Sequence, residues 1–312
     1  MALTCWILSD GRIGTENNAR GVAEALGLEY TVVPVTLRQP WRTLSPWLRI
    51  GLHKGVQMVR PAGPWPDLLI TAGRTPAVGS VYIGQQSPKT VRIHITNPGV
   101  SPTLFDLVIA PEHDQLRGPN TLTSVGALHR VTTEKLVQAA EQWAPHFNHL
   151  PRPWHVLLVG GDTKDFTLSA EHAASMIAAL KTKGGSVLVT ASRRTSPTAR
   201  AALSAADYLW DGSGENPYFG LLALADDLYV TSDSISMLSE AASTGKLVYI
   251  MPLSGHSAKH TRFHQALVTG GHAQFFGSPT LTDWSPVLLE DMKKATAKIR
   301  ELLIARGKLS VI

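Results

Sequence analysis

Cysteine is nearly absent from this chain: Cys5 is the single thiol in 312 residues. No internal disulfide framework is therefore available, and the composition is that of a protein kept in a reducing compartment. Cys5 lies in the apolar run 3–8, where a thiol reads as core packing rather than as a nucleophile. Charge is also scarce, at 17% of residues. No apolar run reaches the roughly 20 residues of a membrane span. No basic segment precedes the short apolar stretch 2–8, and Asp10 interrupts it, so no secretory signal is expected. Walker-type phosphate loops and the Gly-x-Ser-x-Gly nucleophile elbow are missing, which sets aside P-loop NTPase and serine-hydrolase chemistry.

What is present is ample apolar material. Hydrophobic residues make up 44% of the chain, enough for two cores at this length. Net charge is +5, which raises the question of an anionic partner. Between residues 36 and 60 the chain carries Arg38, Arg42, Arg49, Lys54 and Arg60, interleaved with Trp41, Trp47, Leu48, Ile50 and Leu52 and with no acid. Basic residues among tryptophans fit either solvated surface or peripheral contact with a membrane face. No nucleic-acid-binding motif accompanies them.

Short β-rich runs alternate with helical stretches throughout, which predicts an α/β fold with parallel sheets. In the first half the expected strands are 4–8, 30–35, 68–71, 91–95 and 107–110. Helices are expected over 15–26, 46–59 and 77–85. The proline-bearing stretch 142–153 reads as a connection, and a second series of strands follows at 156–159, 186–190, 208–210, 228–231 and 247–251. The expected domains are 1–148 and 149–312, two Rossmann-like halves with sheets facing a cleft. An amphipathic helix over 285–306 is expected to pack back on the junction.

Each candidate site follows a strand, where ligands of open parallel sheets bind. Ser9-Asp10-Gly11-Arg12-Ile13-Gly14 follows the first strand. Gly11 and Gly14 permit a tight turn and close approach to a ligand. Asp10 would repel phosphate and is better suited to accept a proton from a hydroxyl. His113 and Asp114, after another first-half strand, are reserve bases. In the second half, Gly160, Gly161 and Lys164 offer backbone N–H groups and a cation to phosphate. Ser192, Arg193 and Arg194 follow the next strand, and two adjacent arginines favour an anion.

The run 213–252 is the most informative. Residues 228–231 form a strand, Ser232-Asp233-Ser234 supplies helix-capping side chains, and Gly245 ends the helix. A strand feeding a helix N-terminus suits a pyrophosphate. Glu240, further along that helix, is placed to accept both hydroxyls of a ribose. His256, His260 and His264 are spaced by four and are read as a cationic wall facing a diphosphate rather than as a metal site. Neither a metal nor a cofactor is expected.

Several of these strings resemble one known family. They are Ser-Asp-Gly-Arg-Ile-Gly-Thr-Glu-Asn-Asn at 9–18, Thr-Ala-Gly-Arg at 71–74, the segment 105–114 with Gly118-Pro119-Asn120, and the segments 190–195, 214–220 and 233–245. The chain resembles bacterial members of the mitochondrial-fission, elongated-mitochondria-type family nearly end to end. The resemblance implies the GT-B glycosyltransferase architecture. The segments at 160–161 and 225–246 look like the nucleotide-sugar half of the enzyme that adds N-acetylglucosamine to lipid-linked muramyl-pentapeptide. By that similarity Ser234, Ser236 and Met237 lie near the diphosphate and Glu240 near the ribose, while Glu215 and Asn216 line the cleft. One departure concerns retaining enzymes of this fold, which often carry two glutamates one residue further apart than Asp233 and Glu240 are here, so stereochemistry stays open.

The implied function is metal-independent sugar transfer from a nucleoside-diphosphate sugar, bound by the second domain, to an envelope or lipid-linked acceptor, bound by the first. The setting is cytoplasmic, with possible contact at the inner membrane face. A non-catalytic partner-binding protein and a nucleotide-sugar epimerase are the alternatives on the same fold.

Overall fold

The structure is a computed structural model that describes residues 3–41, 51–278 and 284–310. The chain divides into two compact units, Met1–Arg130 with Glu290–Ile312, and Val131–Leu289. In the first unit seven strands form one sheet: β1 (Cys5–Ser9), β2 (Tyr30–Leu37), β3 (Val56–Met58), β4 (Leu68–Ala72), β5 (Val91–Ile95), β6 (Leu107–Pro111) and β7 (Thr121–Ser124). Their order is β3-β2-β1-β4-β5-β6-β7. All pairings are parallel except β3 against β2. β1, β4 and β6 are buried at every position, the mark of strands covered on both faces.

The second unit repeats the plan. Its strands are β8 (Trp154–Val159), β9 (Phe166–Thr167), β10 (Ser186–Ala191), β11 (Tyr208–Leu209), β12 (Asp227–Thr231), β13 (Leu247–Met251), β14 (Ser254–Gly255) and β15 (Gln274–Phe275). Six of them form a parallel sheet in the order β11-β10-β8-β12-β13-β15, and β14 pairs with β9 separately. In both sheets the order reverses beside the first strand, at β1/β4 and at β8/β12. Such reversals are where open α/β sheets bind ligands.

The ten strands expected from sequence are all present. One expected helix is not. Of the stretch 46–59, the portion 46–50 lies outside the described residues, as do Arg42, Trp47, Leu48, Arg49 and Ile50 of the basic, tryptophan-bearing segment. Residues Leu52–Gly55 make a single 3-10 turn, and β3 follows immediately. Val56 pairs with Leu37, and Gly55 packs so closely on Trp41 that an added Cβ would lie 2.9 Å from its side chain. Strand pairing and that close approach override the helical periodicity.

The units also divide elsewhere than at 148/149. Residues 142–147 are not a linker but the last turns of a helix, Thr133–Phe147. It belongs to the second unit because Trp143 fills the space that a Cβ on Gly220 would occupy, 2.5 Å away. Phe147 meanwhile packs edge-on to Trp154 and Tyr208. The C-terminal helix Asp291–Ala305 belongs to the first unit. Its Ala295, Ile299 and Leu303 are buried in the same core as Val22 and Leu26 of the helix Ile13–Ala25. Arg300 Nη2 donates to Leu26 O at 3.1 Å, Lys308 reaches Asp67 at 2.6 Å and Arg306 pairs with Asp106. Buried Asp291 accepts the Gly126 N–H at 2.7 Å. The first unit is thus completed by the far end of the chain.

Ile299→Ala should therefore cost about 2–5 kcal/mol in the first unit. Hydrogen exchange resolved by segment checks this: protection should fall in the helix Ile13–Ala25 and strands β1 and β4 while β8 and β12 keep theirs. Equal loss in both units would refute the assignment of the helix.

Candidate functional site

The second unit builds its site from three loops that leave the carboxyl ends of β8, β10 and β12. Leu158 is level with Val230, so Gly160 and Ser232 leave the sheet side by side. Thr231 ties them. Its Oγ1 accepts the Gly160 N–H at 2.8 Å and donates to Asp233 Oδ1 at 2.7 Å. The Asp233 side chain is 0% exposed, and Arg194 Nη1 donates to its Oδ2 at 2.7 Å. The same Nη1 reaches Gly161 O at 3.2 Å. Gly160 O accepts from Ser192 Oγ and, at 2.8 Å, from Thr195 Oγ1. Arg194 N–H donates to Ser192 Oγ at 3.1 Å.

Two glycines make this packing feasible. A Cβ on Gly160 would lie 2.1 Å from Asp233 Oδ2, and one on Gly161, at φ +125°, would lie 2.6 Å from the Arg194 backbone. Ser234 then caps the helix Ile235–Ala242 by accepting the Met237 N–H at 3.4 Å. A fully buried carboxylate is tolerable only with charged or hydrogen-bonded partners. Arg194, still 42% exposed, neutralises it and keeps one edge of its guanidinium at the surface.

His260 Nε2 lies 3.2 Å from Asp233 O. A carbonyl only accepts, so the proton sits on Nε2. His264 is buried, and burial pushes its imidazole down to about 4. Burial lowers His260 as well. Burial thus disfavours charge on two of the three histidines of the expected cationic wall. Together with His256, Ser232, Leu253 and Phe275 they line a pocket of about 210 Å³. Among the described residues no cluster of three or more metal-ligating side chains occurs.

Glu240 sits one turn beyond exposed Ser236 on the outer face of the same helix, while Leu238, Ala241 and Ala242 face the core. Its carboxylate accepts a hydrogen bond from the Tyr218 hydroxyl. Burial pushes the Glu240 carboxyl up to about 7, and the Tyr218 hydrogen bond acts in the opposite direction.

Other sequence candidates lie apart from this network. Lys164 has a side chain 90% exposed, 3.9 Å from Asp165, and Arg193 is exposed. Glu215 accepts from Gln142 at 2.8 Å, and Asn216 Oδ1 accepts the Tyr218 N–H at 3.0 Å. Both precede the helix Tyr218–Leu224.

In the first unit Asp10 follows β1, its Oδ1 3.3 Å from the Arg12 N–H and its Oδ2 3.7 Å from Arg12 Nε. Gly11 takes φ +82° and donates its N–H to Ser9 Oγ at 3.0 Å. Ser9 in turn donates to Glu16, and that bond is the main reason the Glu16 carboxyl stays below its usual range. Gly14 is different from expectation: it lies inside the helix Ile13–Ala25 with open space around a Cβ, so no tight turn needs it. His113 is buried, with Nε2 3.8 Å from Asp114 Oδ1. Two residues missed from sequence are Thr96 at φ +76°, directly after β5, and Gln115 at φ +54°, which closes the 3-10 turn Glu112–Asp114 after β6. A left-handed β-branched residue is costly and marks a site-forming loop. Nothing in sequence announced them, whereas Thr231-x-Asp233 beside Gly160 was legible as a capped strand end.

These paired parallel-sheet units place the protein in the GT-B fold class. A UDP-N-acetylglucosamine 2-epimerase from Neisseria meningitidis bound to its nucleotide sugar matches with a TM-score of 0.52 at 14% identity, over 100% of this chain and 95% of that one. The glycosyltransferase SnogD from Streptomyces nogalater matches with a TM-score of 0.51 at 11% identity, over 97% and 96%.

The chain belongs to the mitochondrial fission ELM1 family, whose sequence profile matches residues 13–303. It is 31% identical to the mitochondrial fission protein ELM1 of Arabidopsis thaliana over 278 residues, which cover 78% of this chain and 65% of the plant protein. It is 27% identical to the uncharacterized protein RP120 of Rickettsia prowazekii over 96% of this chain and 98% of that one.

Two outcomes are expected. Arg194→Ala strands a buried carboxylate and should cost about 3 kcal/mol; adding Asp233→Asn in the same chain should recover most of it, as measured by denaturant unfolding. A carboxyl whose folded titration is raised binds extra protons when folded, so its contribution is greatest below the unfolded value and fades as pH rises through about 7. Glu240→Gln should accordingly remove part of the stability loss between pH 5 and 8, read from Tm against pH. An unchanged slope would place the titration elsewhere.

Proposed function

We propose that the protein is a glycosyltransferase whose second unit binds a nucleoside-diphosphate sugar and whose first unit binds an acceptor hydroxyl. The observation that carries this reading is the Gly160–Arg194–Asp233 network at the β8/β12 reversal. It holds a guanidinium half-exposed beside the N-terminus of the helix Ile235–Ala242. A fixed cation and unsatisfied helix N–H groups suit a diphosphate. The solved epimerase of the same fold bound to UDP-N-acetylglucosamine supports the ligand class.

In the reaction the acceptor oxygen bonds to the anomeric carbon as the bond from that carbon to the diphosphate oxygen breaks. The proton passes to Asp10, and the electron pair leaves with the diphosphate. Charge therefore develops on the leaving group, where Arg194, Ser192 and the helix beginning after Ser234 would stabilise it. Arg193 and Lys164, both exposed, would close on the same anion. Gly161 keeps backbone close to it, and Glu240 would accept the ribose hydroxyls. Asp10 is the base because a carboxylate at the end of β1 faces no competing buried cation, only exposed Arg12. His113 and Asp114 are the reserve pair. The acceptor is an envelope or lipid-linked glycan. Among the described residues no helix is long and apolar enough to cross a membrane.

A second reading has its own support. The plant relative is named for mitochondrial fission, which fits a non-catalytic partner-binding protein that keeps the fold. An epimerase of the same fold would turn over donor without acceptor.

A thermal-shift panel of UDP, GDP, CMP and ADP with their common sugars separates these readings. A millimolar ligand at a micromolar site stabilises by about 4 kcal/mol, a shift of several degrees. The expected result is a shift with one nucleotide class that Glu240→Ala and Arg194→Ala both diminish. Asp10→Asn should keep that shift and lose transfer by about 100-fold or more. No shift with any nucleotide would favour the partner-binding protein.

A further inference from the structure

Tyr218 lies in the segment 214–220 that carries the family resemblance but is given no role there, yet it makes the one side-chain hydrogen bond that reaches Glu240 among the described residues. It stands in the first turn of the helix Tyr218–Leu224, and that helix is rigidly seated. Leu221 and Leu222 are fully buried, and Gly220 lies against Trp143 at a distance no side chain would allow. The Tyr218 N–H is held by Asn216 Oδ1 at 3.0 Å, and its ring lies edge-on to Phe219. The phenol is thus anchored at both its backbone and its ring.

A phenol has one proton to donate, whereas a carboxylate has about four acceptor positions on two oxygens. Tyr218 uses Oε2. On the outer face of its helix, one turn past Ser236, Glu240 is left with Oε1 for another donor. A glutamate at this partly buried position without that tie would sample more than one rotamer and lose side-chain entropy of about 1 kcal/mol or more on binding.

We propose that Tyr218 is a positioning residue for nucleotide binding: its hydroxyl pins Glu240 through Oε2 and presents Oε1 to the two ribose hydroxyls of a nucleoside diphosphate. This rests on the nucleotide reading of the β8/β12 reversal. Tyr218 touches no ligand and acts through Glu240 alone.

The pair also sets a pH window. Ribose hydroxyls donate to a carboxylate and gain nothing equivalent from the protonated acid, so binding needs Glu240 ionised. Burial pushes that carboxyl up to about 7, and Tyr218, the ionisable side chain that acts on it, holds it from rising further. Burial and the neighbouring carboxylate push the phenol well above its ordinary value, so Tyr218 stays a donor. Removing the hydroxyl should move the carboxyl titration upward.

The test uses UDP, GDP and ADP as probes. Calorimetric Kd values are measured from pH 6 to 9 for wild type, Tyr218→Phe and Glu240→Gln, alongside a ¹³C-carboxyl titration of Glu240 without ligand. Phenylalanine keeps the ring, so the fold is retained and is checked by circular dichroism. Wild-type affinity should fall as pH drops through about 7. Tyr218→Phe should move both that fall and the carboxyl titration up by about half to one pH unit, a further loss of about two- to fivefold at pH 7 on top of a smaller loss from the unpinned side chain that persists to pH 9. Glu240→Gln should bind weakly at every pH. Binding with the same pH profile in wild type and Tyr218→Phe overturns the positioning role alone. No binding of any probe by wild type overturns the nucleotide reading, and the proposal with it.

Discussion

A carboxylate with no solvent contact, Asp233, fixes the second unit's site. Its burial imposes three conditions on the loops around it. A cation must reach it, and Arg194 does at 2.7 Å. A neutral donor must take the other oxygen, and Thr231 does at 2.7 Å. The residue beside it must lack a side chain, because a Cβ at Gly160 would collide with Oδ2. Once these hold, the loop after β10 is drawn onto the loop after β8, and Ser192 and Thr195 close on Gly160 O. Loops in α/β proteins are usually the mobile parts that carry function. Here a buried charge makes three of them one rigid piece, which is what preorganised anion binding requires.

The two units share a strand order and differ in charge at the equivalent place. At the β1/β4 reversal the side chains are acids: Asp10 with Arg12 beside it, and Glu16 held by Ser9 and Arg20. At the β8/β12 reversal the acid is buried and the exposed group is a guanidinium. Topology is common to both, so side-chain chemistry decides what each end of the sheet can hold. A carboxylate near solvent supports proton acceptance, and a braced guanidinium supports a leaving diphosphate. The division of labour proposed for the two units follows from that contrast.

Strand positions were legible because parallel, doubly covered strands are short runs of buried β-branched and aliphatic residues bounded by glycine and polar turns. The runs 91–95 and 247–251 needed no tertiary information. The helix over 46–59 was misread because Leu52 and Val56 mimic helical spacing, while the deciding contact, Gly55 on Trp41, is set by packing. The domain boundary was misread for a related reason. Pro145 marks breaks in most helices, but here it sits within the final turn of the helix Thr133–Phe147, and allegiance is settled by Trp143 meeting Gly220. The assignment of Ser192, Arg194, Ser234 and Glu240 to one unit followed from strand-end positions. Tyr218 could not be found that way, because its tie to Glu240 joins two helices that only the fold brings together.

The histidines show how burial overrides spacing. Three imidazoles four residues apart suggest accumulated positive charge, yet His260 and His264 are partly or wholly buried, and a buried ring loses hydration that the cation needs more than the neutral form does. His264 falls to about 4 for that reason, and proximity to His260 lowers it further. His260 spends its one proton on Asp233 O. Among the cations of this unit Arg194 is the one braced by the buried carboxylate, and no such burial can remove its proton. Its Nη1 serves Asp233 and Gly161 O together, which commits one corner of a fork of five donors. An arginine held in this way is braced from below by a carboxylate it cannot leave cheaply. Its remaining edge is then oriented before any ligand arrives, and the cost of ordering it has been met in folding rather than in binding.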